Sequence, residues 1–92
     1  MNKDMSEALA LEALEWIAST DDLMGVFLGA SGASAGDIRA SAQDPTFLGS
    51  VLDFLLMDDD WVRQFCDAKR HDYQKPMIAR QHLPGGDIPN WT

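Results

Sequence analysis

The sequence predicts an all-α domain, a compact irregular bundle of five or six short helices around one central apolar helix. Three observations favour this fold. Apolar residues recur at helical spacing, Asp, Ser and Pro residues stand where helices would begin, and no segment alternates apolar and polar residues as a strand does. The chain has 92 residues, 46% of them hydrophobic, which is enough apolar material for one core. We therefore expect residues 1–92 to form a single domain.

Two helices are predicted in the first third of the chain. The first is amphipathic, is capped by Asp4 or Ser6, and ends near Ser19. Residues 20–22, Thr-Asp-Asp, cap a second and shorter helix that we expect to stop at Gly29. The residues expected to be buried in this second helix are Leu23, Met24, Val26, Phe27 and Leu28.

A segment rich in glycine, alanine and serine follows the second helix. Residues 29–36, GASGASAG, are of low complexity and predict a flexible connection. Ser34 and Asp37 then have capping-box spacing for a third helix that runs to about Ala42. Ile38 is its one large apolar residue.

Residues 45–57, PTFLGSVLDFLLM, predict the helix around which the others pack. At about 100° per residue its large apolar side chains cover roughly 200° of the circumference, which requires neighbours on more than one side. Asp44 caps this helix, and Pro45 stands at the first position, where its missing N–H costs nothing. Gly49 and Ser50 lie on the narrow remaining strip, where they either let another element approach closely or face solvent.

A fifth helix is predicted after three consecutive aspartates, residues 58–60, which supply a turn and a cap. Its apolar face comprises Trp61, Val62, Phe65 and Ala68. Cys66 is interpreted as a small core residue rather than a reactive thiol. A single cysteine also excludes an intramolecular disulfide and favours a cytoplasmic location.

The end of the chain predicts one more helix and an irregular tail. A polar segment interrupts the apolar pattern, and a sixth helix begins near Tyr73 or Pro76 and ends at His82. Two Pro and two Gly in residues 83–92, LPGGDIPNWT, predict irregular backbone. We expect this tail to pack on the core through Trp91, because an exposed indole leaves a large burial gain unused.

Two glycine patterns suggest catalytic or phosphate sites, and a structural interpretation of each is stronger. Residues 32–36 match the G-x-S-x-G pattern of hydrolases, but that motif requires a preceding strand, so Ser34 is interpreted as a helix cap. The glycines at 25, 29, 32 and 36 precede no Gly-Lys-Ser/Thr sequence, so a phosphate cradle is not predicted.

Metal sites and other catalytic sites are not predicted either. Residues 58–60 lack the alternating ligands, glycine and terminal glutamate of a calcium loop. The metal-capable side chains of the second half do not match zinc-site spacings; they are Cys66, Asp67, His71, Asp72 and His82. We expect no catalytic, cofactor-binding or metal-binding residues, and no enzymatic activity.

Charge is distributed unevenly along the chain. The net charge of −8 argues against nonspecific binding to nucleic acid or anionic lipid. Residues 1–29 carry one Lys against six carboxylates, whereas residues 59–92 carry five basic and five acidic side chains. The late basic cluster consists of Arg63, Lys69, Arg70, Lys75 and Arg80. It is either a contact for an acidic or phosphate-bearing partner or a solvated face that balances the acidic first half.

Neither export nor membrane insertion is predicted. Residues 23–35 superficially resemble a signal-peptide core, but six carboxylates and only one lysine precede them, the opposite of the basic segment that such a core requires. No apolar run approaches the roughly 18 residues that a membrane span needs.

Four segments together resemble a known family. They are EALALEALEWIA (residues 7–18), FLGSVLDFLL (47–56), LPGGD (83–87) and the final Trp-Thr. The chain resembles, over nearly its whole length, the short bacterial proteins grouped as domain of unknown function 3572. The resemblance implies an all-helical cytoplasmic domain without assigned biochemistry and supplies no functional residues. The polar segment 69–75 departs from the Gly- and Pro-containing turn expected there.

Three hypotheses for function remain. The first is a noncatalytic protein-interaction module that binds a protein partner or a second copy. The second is a small-ligand-binding protein or enzyme with a pocket between helices, which predicts a concave apolar site with convergent polar groups. The third is a nucleic-acid-associated regulator that uses the basic cluster in residues 63–80, which requires binding that weakens steeply with salt.

Overall fold

The computed structural model describes residues 2–20, 22–32 and 35–83, and these ranges form an all-α bundle without strands. The predicted caps Asp21 and Ser34, and the tail that carries Trp91, lie outside the described residues. The helices are α1 (Lys3–Ser19), α2 (Leu23–Ser31), α3 (Ala35–Ser41), α4 (Pro45–Leu56), α5 (Asp59–Lys69) and α6 (Lys75–Gln81). The all-α prediction is confirmed. No helix in these ranges combines the length and the apolar character that a membrane crossing requires.

Helices α1 and α4 form the centre of the bundle. They pack against each other, α6 packs against both, α2 packs on α1 and α5 packs on α4. The core residues with no exposed surface include Ala10, Ala13, Ile17, Val51, Leu52, Leu55, Phe65 and Ala79. The prediction that residues 45–57 are the hub is therefore confirmed, with α1 as an equal contributor.

The start of α1 differs from the prediction. Asn2 is the N-cap, and its side-chain oxygen accepts a hydrogen bond from the backbone N–H of Met5 at 2.8 Å. Asp4 lies in the first turn, and Ser6 is buried with its hydroxyl donating to the Asn2 carbonyl at 2.9 Å. Asp4 and Ser6 were therefore the wrong caps, because the helix begins one residue before Asp4.

The limits and the buried face of α2 also differ from the prediction. The helix continues through Gly29 and ends at Gly32, whose φ of 76° is left-handed. The flexible connection predicted for residues 29–36 is therefore wrong over 29–31 and 35–36, which are helical. Val26, expected in the core, is 52% exposed, whereas Leu23 and Phe27 are buried as predicted. Asp22 precedes the helix at positive φ and makes no side-chain capping hydrogen bond.

The predicted start of α4, with Asp44 as cap and Pro45 as first residue, is confirmed. The Asp44 carboxylate accepts from the Thr46 backbone N–H at 3.0 Å, and Pro45 is the first helical residue. Gly49 is buried, and half-buried Ser50 donates its hydroxyl proton to the Phe47 carbonyl at 2.6 Å. Of the two alternatives for this strip, exposure to solvent is therefore excluded at Gly49.

The last two helices largely follow the prediction. Asp58 caps α5 by accepting from the Asp60 backbone N–H at 2.8 Å. Cys66 is buried in the core, but Ala68, assigned to the apolar face, is exposed. Helix α6 carries buried Pro76 in its first turn, and Ile38 of the short α3 packs against the core, both as expected.

Candidate functional site

Three residues of the basic cluster contact carboxylates within the domain. Arg63 pairs with Asp60 one turn earlier on α5 at 2.5 Å. Lys69 reaches Glu15 of α1 at 3.1 Å. Arg80 makes the most extensive contact, with Asp53 of α4. Of the three carboxylate partners, only Glu15 lies in the acidic first half of the chain, and Asp60 and Asp53 lie in the second half.

Arg80 joins α6 to α4. Its Nε and Nη2 atoms donate to the two carboxylate oxygens of Asp53 at 2.6 and 3.0 Å. A further nitrogen, Nη1, donates to the Leu83 carbonyl at 3.4 Å. The arginine side chain is 13% exposed and Asp53 is 58% exposed, so the fork geometry is held at the edge of the core.

The other two basic residues have no such ion pair among the residues that the structure describes. Arg70 is exposed at the C-cap of α5, where its φ of 61° is left-handed. The Lys75 ammonium is half-buried and lies 3.3 Å from Nδ1 of His71. Arg70 and Lys75 are therefore the members of the basic cluster best placed to meet a partner.

His71 links the α5–α6 connection to α1. Its Nε2 lies 2.6 Å from Glu12 Oε1, and its Nδ1 faces Lys75. Because an ammonium can only donate, Nδ1 accepts and the imidazole proton is on Nε2, which donates to Glu12. Both ring nitrogens are thus engaged. Sequence analysis did not find the pair, because 59 residues separate its members.

A small concave site adjoins this chain of hydrogen bonds. It has a volume of about 160 Å³ and is lined by Met5, Ala8, Leu9, Glu12, His71 and Lys75. Helix α1 contributes three apolar side chains and the Glu12 carboxylate, and His71 and Lys75 contribute polar groups from the opposite side. This arrangement has the character predicted for a ligand pocket, but its volume is below the roughly 300–1,000 Å³ of typical small-molecule sites.

Cys66 is not arranged as a nucleophile. It has no exposed surface, and its Sγ lies 3.4 Å from the Asp72 carbonyl oxygen, to which the thiol donates. Burial, with a smaller contribution from the Asp67 charge, raises the pKa of the Cys66 thiol above its ordinary value. Within the described ranges no three His, Cys, Asp or Glu side chains group as a metal site.

A second concave site, the α2–α4 groove, lies between the two helices for which it is named. It has a volume of about 180 Å³ and is lined by Phe27, Ala30, Ser50, Asp53, Phe54 and Met57. The rings of Phe27 and Phe54 meet edge to face with centroids 5.2 Å apart. These buried rings form an apolar base that does not depend on a ligand for its shape.

The rim of the α2–α4 groove combines exposed apolar side chains with carboxylates. Met57 is 73% exposed, the highest value among the exposed large apolar residues of the described ranges. Asp53 lines the groove, and the three aspartates 58–60 follow Met57 directly. At helical spacing Met57 falls on the same side as Gly49, Ser50 and Asp53, away from the large apolar residues of 45–57, and this is the signal that could have identified it as exposed.

Comparison with known proteins identifies one family. Residues 3–86 match a family described as Protein of unknown function (DUF3572). No curated protein and no solved structure matches the chain.

Proposed function

The chain belongs to the DUF3572 family, and we propose that it is a small noncatalytic protein-interaction module whose α2–α4 groove receives an apolar side chain of a partner. The observation that carries this proposal is the groove itself, a mainly apolar cleft lined in part by Met57, which is 73% exposed. An exposed methionine beside buried aromatic rings is typical of surfaces that bind proteins. We expect the protein to act in the bacterial cytoplasm, a location favoured by its single cysteine.

The size of the groove favours a side-chain anchor over a metabolite. At about 180 Å³ it is smaller than typical small-molecule sites of roughly 300–1,000 Å³. Binding energy at protein interfaces is concentrated in a few anchors that fill such desolvated pockets. A single Leu, Met or Phe side chain of a partner matches the groove in size and in apolar character.

The charges around the groove favour a partner segment that is basic on both sides of its anchor. The whole chain carries −8, and aspartates 58–60 follow Met57 of the groove directly in the sequence. A basic segment would be attracted to this surface and oriented on it. An acidic segment or a nucleic acid would be repelled.

The surroundings of the two side chains best suited to catalysis, His71 and Cys66, support the noncatalytic part of the proposal. His71 has both ring nitrogens in hydrogen bonds, so neither faces a substrate as a general base. The Cys66 thiol is buried and its pKa is raised, which disfavours the nucleophilic thiolate.

Selective capture from a nuclease-treated lysate of the source organism tests the proposal. The tagged protein should retain a stoichiometric protein partner, and Met57→Asp should release it. Met77→Asp on α6 is the matched control, since Met77 is also exposed, at 53%, but lies away from the groove. Charge reversal of Arg70 and Lys75 should leave capture unchanged.

Two outcomes would overturn this proposal. Met57→Asp could leave a specific partner bound, or Met77→Asp could release it equally. The partner could instead be lost after charge reversal at Arg70 and Lys75 and be retained by Met57→Asp. That result would place the contact on the basic cluster.

One observation favours a second candidate function, binding of a small ligand at the site beside His71. Apolar α1 residues and the Lys75 ammonium, which makes no ion pair among the described residues, converge there, as expected for a compound with one anionic group and a short apolar part. A thermal-shift screen of short carboxylates, compared between the wild type and Lys75→Met, tests it. Stabilisation that persists in Lys75→Met would argue against this site.

A further inference from the structure

The described part of the chain ends at Leu83, close to the α2–α4 groove. Leu83 is buried, with 2% of its surface exposed. Its carbonyl oxygen accepts from Arg80 Nη1 at 3.4 Å, and the Nε and Nη2 atoms of the same side chain donate to the Asp53 carboxylate. Asp53 lines the groove. The position from which the chain continues is therefore separated from the groove by a single arginine side chain.

Residues 84–92, PGGDIPNWT, follow Leu83 and are long enough to reach the groove. Trp91 is eight residues beyond Leu83, a distance of up to about 26 Å in an extended chain. The two consecutive glycines, Gly85 and Gly86, accept φ of either sign, so the chain can reverse its direction there. Neither length nor backbone conformation therefore prevents Trp91 from returning to the groove.

The groove matches an indole in its base and in its lining. The base is formed by the buried rings of Phe27 and Phe54, and aromatic rings pack favourably edge to face or with an offset. Phe54 already stacks on another indole, that of Trp61, with ring centroids 4.8 Å apart. The Asp53 carboxylate of the lining offers oxygen lone pairs that can accept from an indole N–H. Trp91 provides both the aromatic ring and this N–H.

We infer that residues 84–92 turn back on the bundle and place the Trp91 indole in the α2–α4 groove of the same chain. A short covalent connection gives such a segment an effective concentration in the millimolar range. Even a weak contact then fills the groove in most molecules when no partner is present. The contact is autoinhibitory, because Trp91 and the side chain of a partner need the same space. This last step rests on the proposed function, whereas the docking of Trp91 does not.

Charge makes Trp91 a displaceable occupant. The one ionisable side chain of residues 84–92 is Asp87. The chain as a whole carries −8, and aspartates 58–60 follow Met57 of the groove directly in the sequence. This charge repels Asp87 and attracts a basic partner segment. A basic segment therefore displaces Trp91 once it is present, and until then the apolar base of the groove is covered.

Docking is tested on the full chain without a partner. The protein is labelled with 5-fluorotryptophan, and the fluorine NMR signal of Trp91 is assigned from its absence in Trp91→Phe. This signal should lie away from its position in the urea-denatured chain. Met57→Asp should return it to that position, whereas Met77→Asp, at the exposed methionine of α6, should leave it unchanged. The signal of Trp16, which contacts Phe65 in the core, reports whether each variant is folded.

Two results of this measurement would overturn the inference. The first is a Trp91 signal that already lies at the denatured position in the wild type. The second is a displaced signal that Met57→Asp leaves unchanged, or that both methionine variants move equally, in chains whose Trp16 signal is folded. Trp91 would then lie outside the groove.

Competition is measured with the capture experiment of the proposed function. In Trp91→Ala the concentration for half-maximal capture of the partner should fall about tenfold, the factor expected when about nine molecules in ten have an occupied groove. Asn90→Ala, which changes a polar neighbour, is the control and should have no effect. Equal capture by the wild type and Trp91→Ala would overturn the autoinhibitory role. Absence of a partner from every variant would overturn the proposed function alone, because the NMR signal reports docking independently.

Discussion

At the residue scale, Arg63 and Arg80 show how one side-chain type can have two structural roles. Arg63 pairs with Asp60 on its own helix, and both side chains are mostly exposed. Arg80 reaches from α6 to Asp53 on α4 with two donor nitrogens, and is itself largely buried. The Arg63 pair reinforces a helix that already exists, whereas the Arg80 pair fixes the position of one helix against another.

We expect Arg80→Met to lower the free energy of unfolding by about 1 kcal/mol, a value that allows for solvent screening at the exposed Asp53. Arg63→Met is the control and should produce no measurable change, because its pair is local and exposed. Urea denaturation of both variants measures the difference. Equal losses would contradict the distinction between the two arginines.

Cys66 provides a prediction about pH. Because burial raises the pKa of the folded thiol, the folded state favours the protonated form. This contribution to stability is fully present below the pKa of the unfolded thiol. It is lost as pH rises through the higher pKa of the folded thiol.

The wild type should therefore lose stability in the alkaline range more steeply than Cys66→Ala. The free energies of unfolding of both proteins, measured from neutral to alkaline pH, check this expectation. In addition, the native thiol should react with a disulfide reagent far more slowly than the thiol of the denatured chain. Fast native reaction would show that Cys66 is accessible.

At the element scale, α2 shows why the position of a helix end depends on backbone conformation rather than on glycine content. Gly25 and Gly29 adopt ordinary helical geometry, and the helix ends only at Gly32, where φ is 76°. The backbone N–H of Gly32 donates to the Leu28 carbonyl at 2.9 Å and closes the last turn. Any of the three glycines could have ended the helix, and only the left-handed one does.

Gly32→Ala should lower the free energy of unfolding by about 1 kcal/mol, because a Cβ atom is strained in the left-handed region. Gly36→Ala, inside α3 and without a positive φ, should cause no loss. Thermal unfolding of the two variants provides the comparison. A neutral Gly32→Ala would indicate that α2 can end elsewhere at little cost.

At the scale of the whole molecule, the uneven charge of the chain is partly balanced by contacts across the domain. Glu12 and Glu15 of α1 meet His71 and Lys69 from the other end of the sequence. These contacts hold α1 against the connection between α5 and α6. The remaining charge of −8 nevertheless opposes the compact state by self-repulsion.

We therefore expect moderate salt to stabilise the protein. Raising NaCl from about 0.01 to 0.15 M shortens the Debye length from about 30 Å to 8 Å. The domain measures 34 × 27 × 24 Å, so repulsion across it is screened, whereas ion pairs at contact distance are screened less. The melting temperature should rise over this interval. A fall would mean that the interhelical ion pairs outweigh the repulsion.

Features that depend on neighbours in sequence were predictable. The caps at Asp44 and Asp58 follow from hydrogen bonds that span two residues, and the place of Pro76 in the first turn of α6 follows from the restriction of proline to helix starts. The prediction for the cap of α1 was wrong because two suitable residues lie close together in the sequence. Asn2 and Asp4 are both good caps, and propensity alone does not choose between candidates so close together.

The helical class, the central role of residues 45–57 and the acidic character of the chain follow from the amino-acid sequence, since helical periodicity and composition can be read without knowledge of the packing. The Glu12–His71 contact, the α2–α4 groove and the exposure of Val26 arise only when the helices pack together. Helix α2 is apolar all round, so its own pattern does not state which side faces the core. That choice depends on where α1 and α4 lie, because burial is a property of the packed bundle and not of the segment.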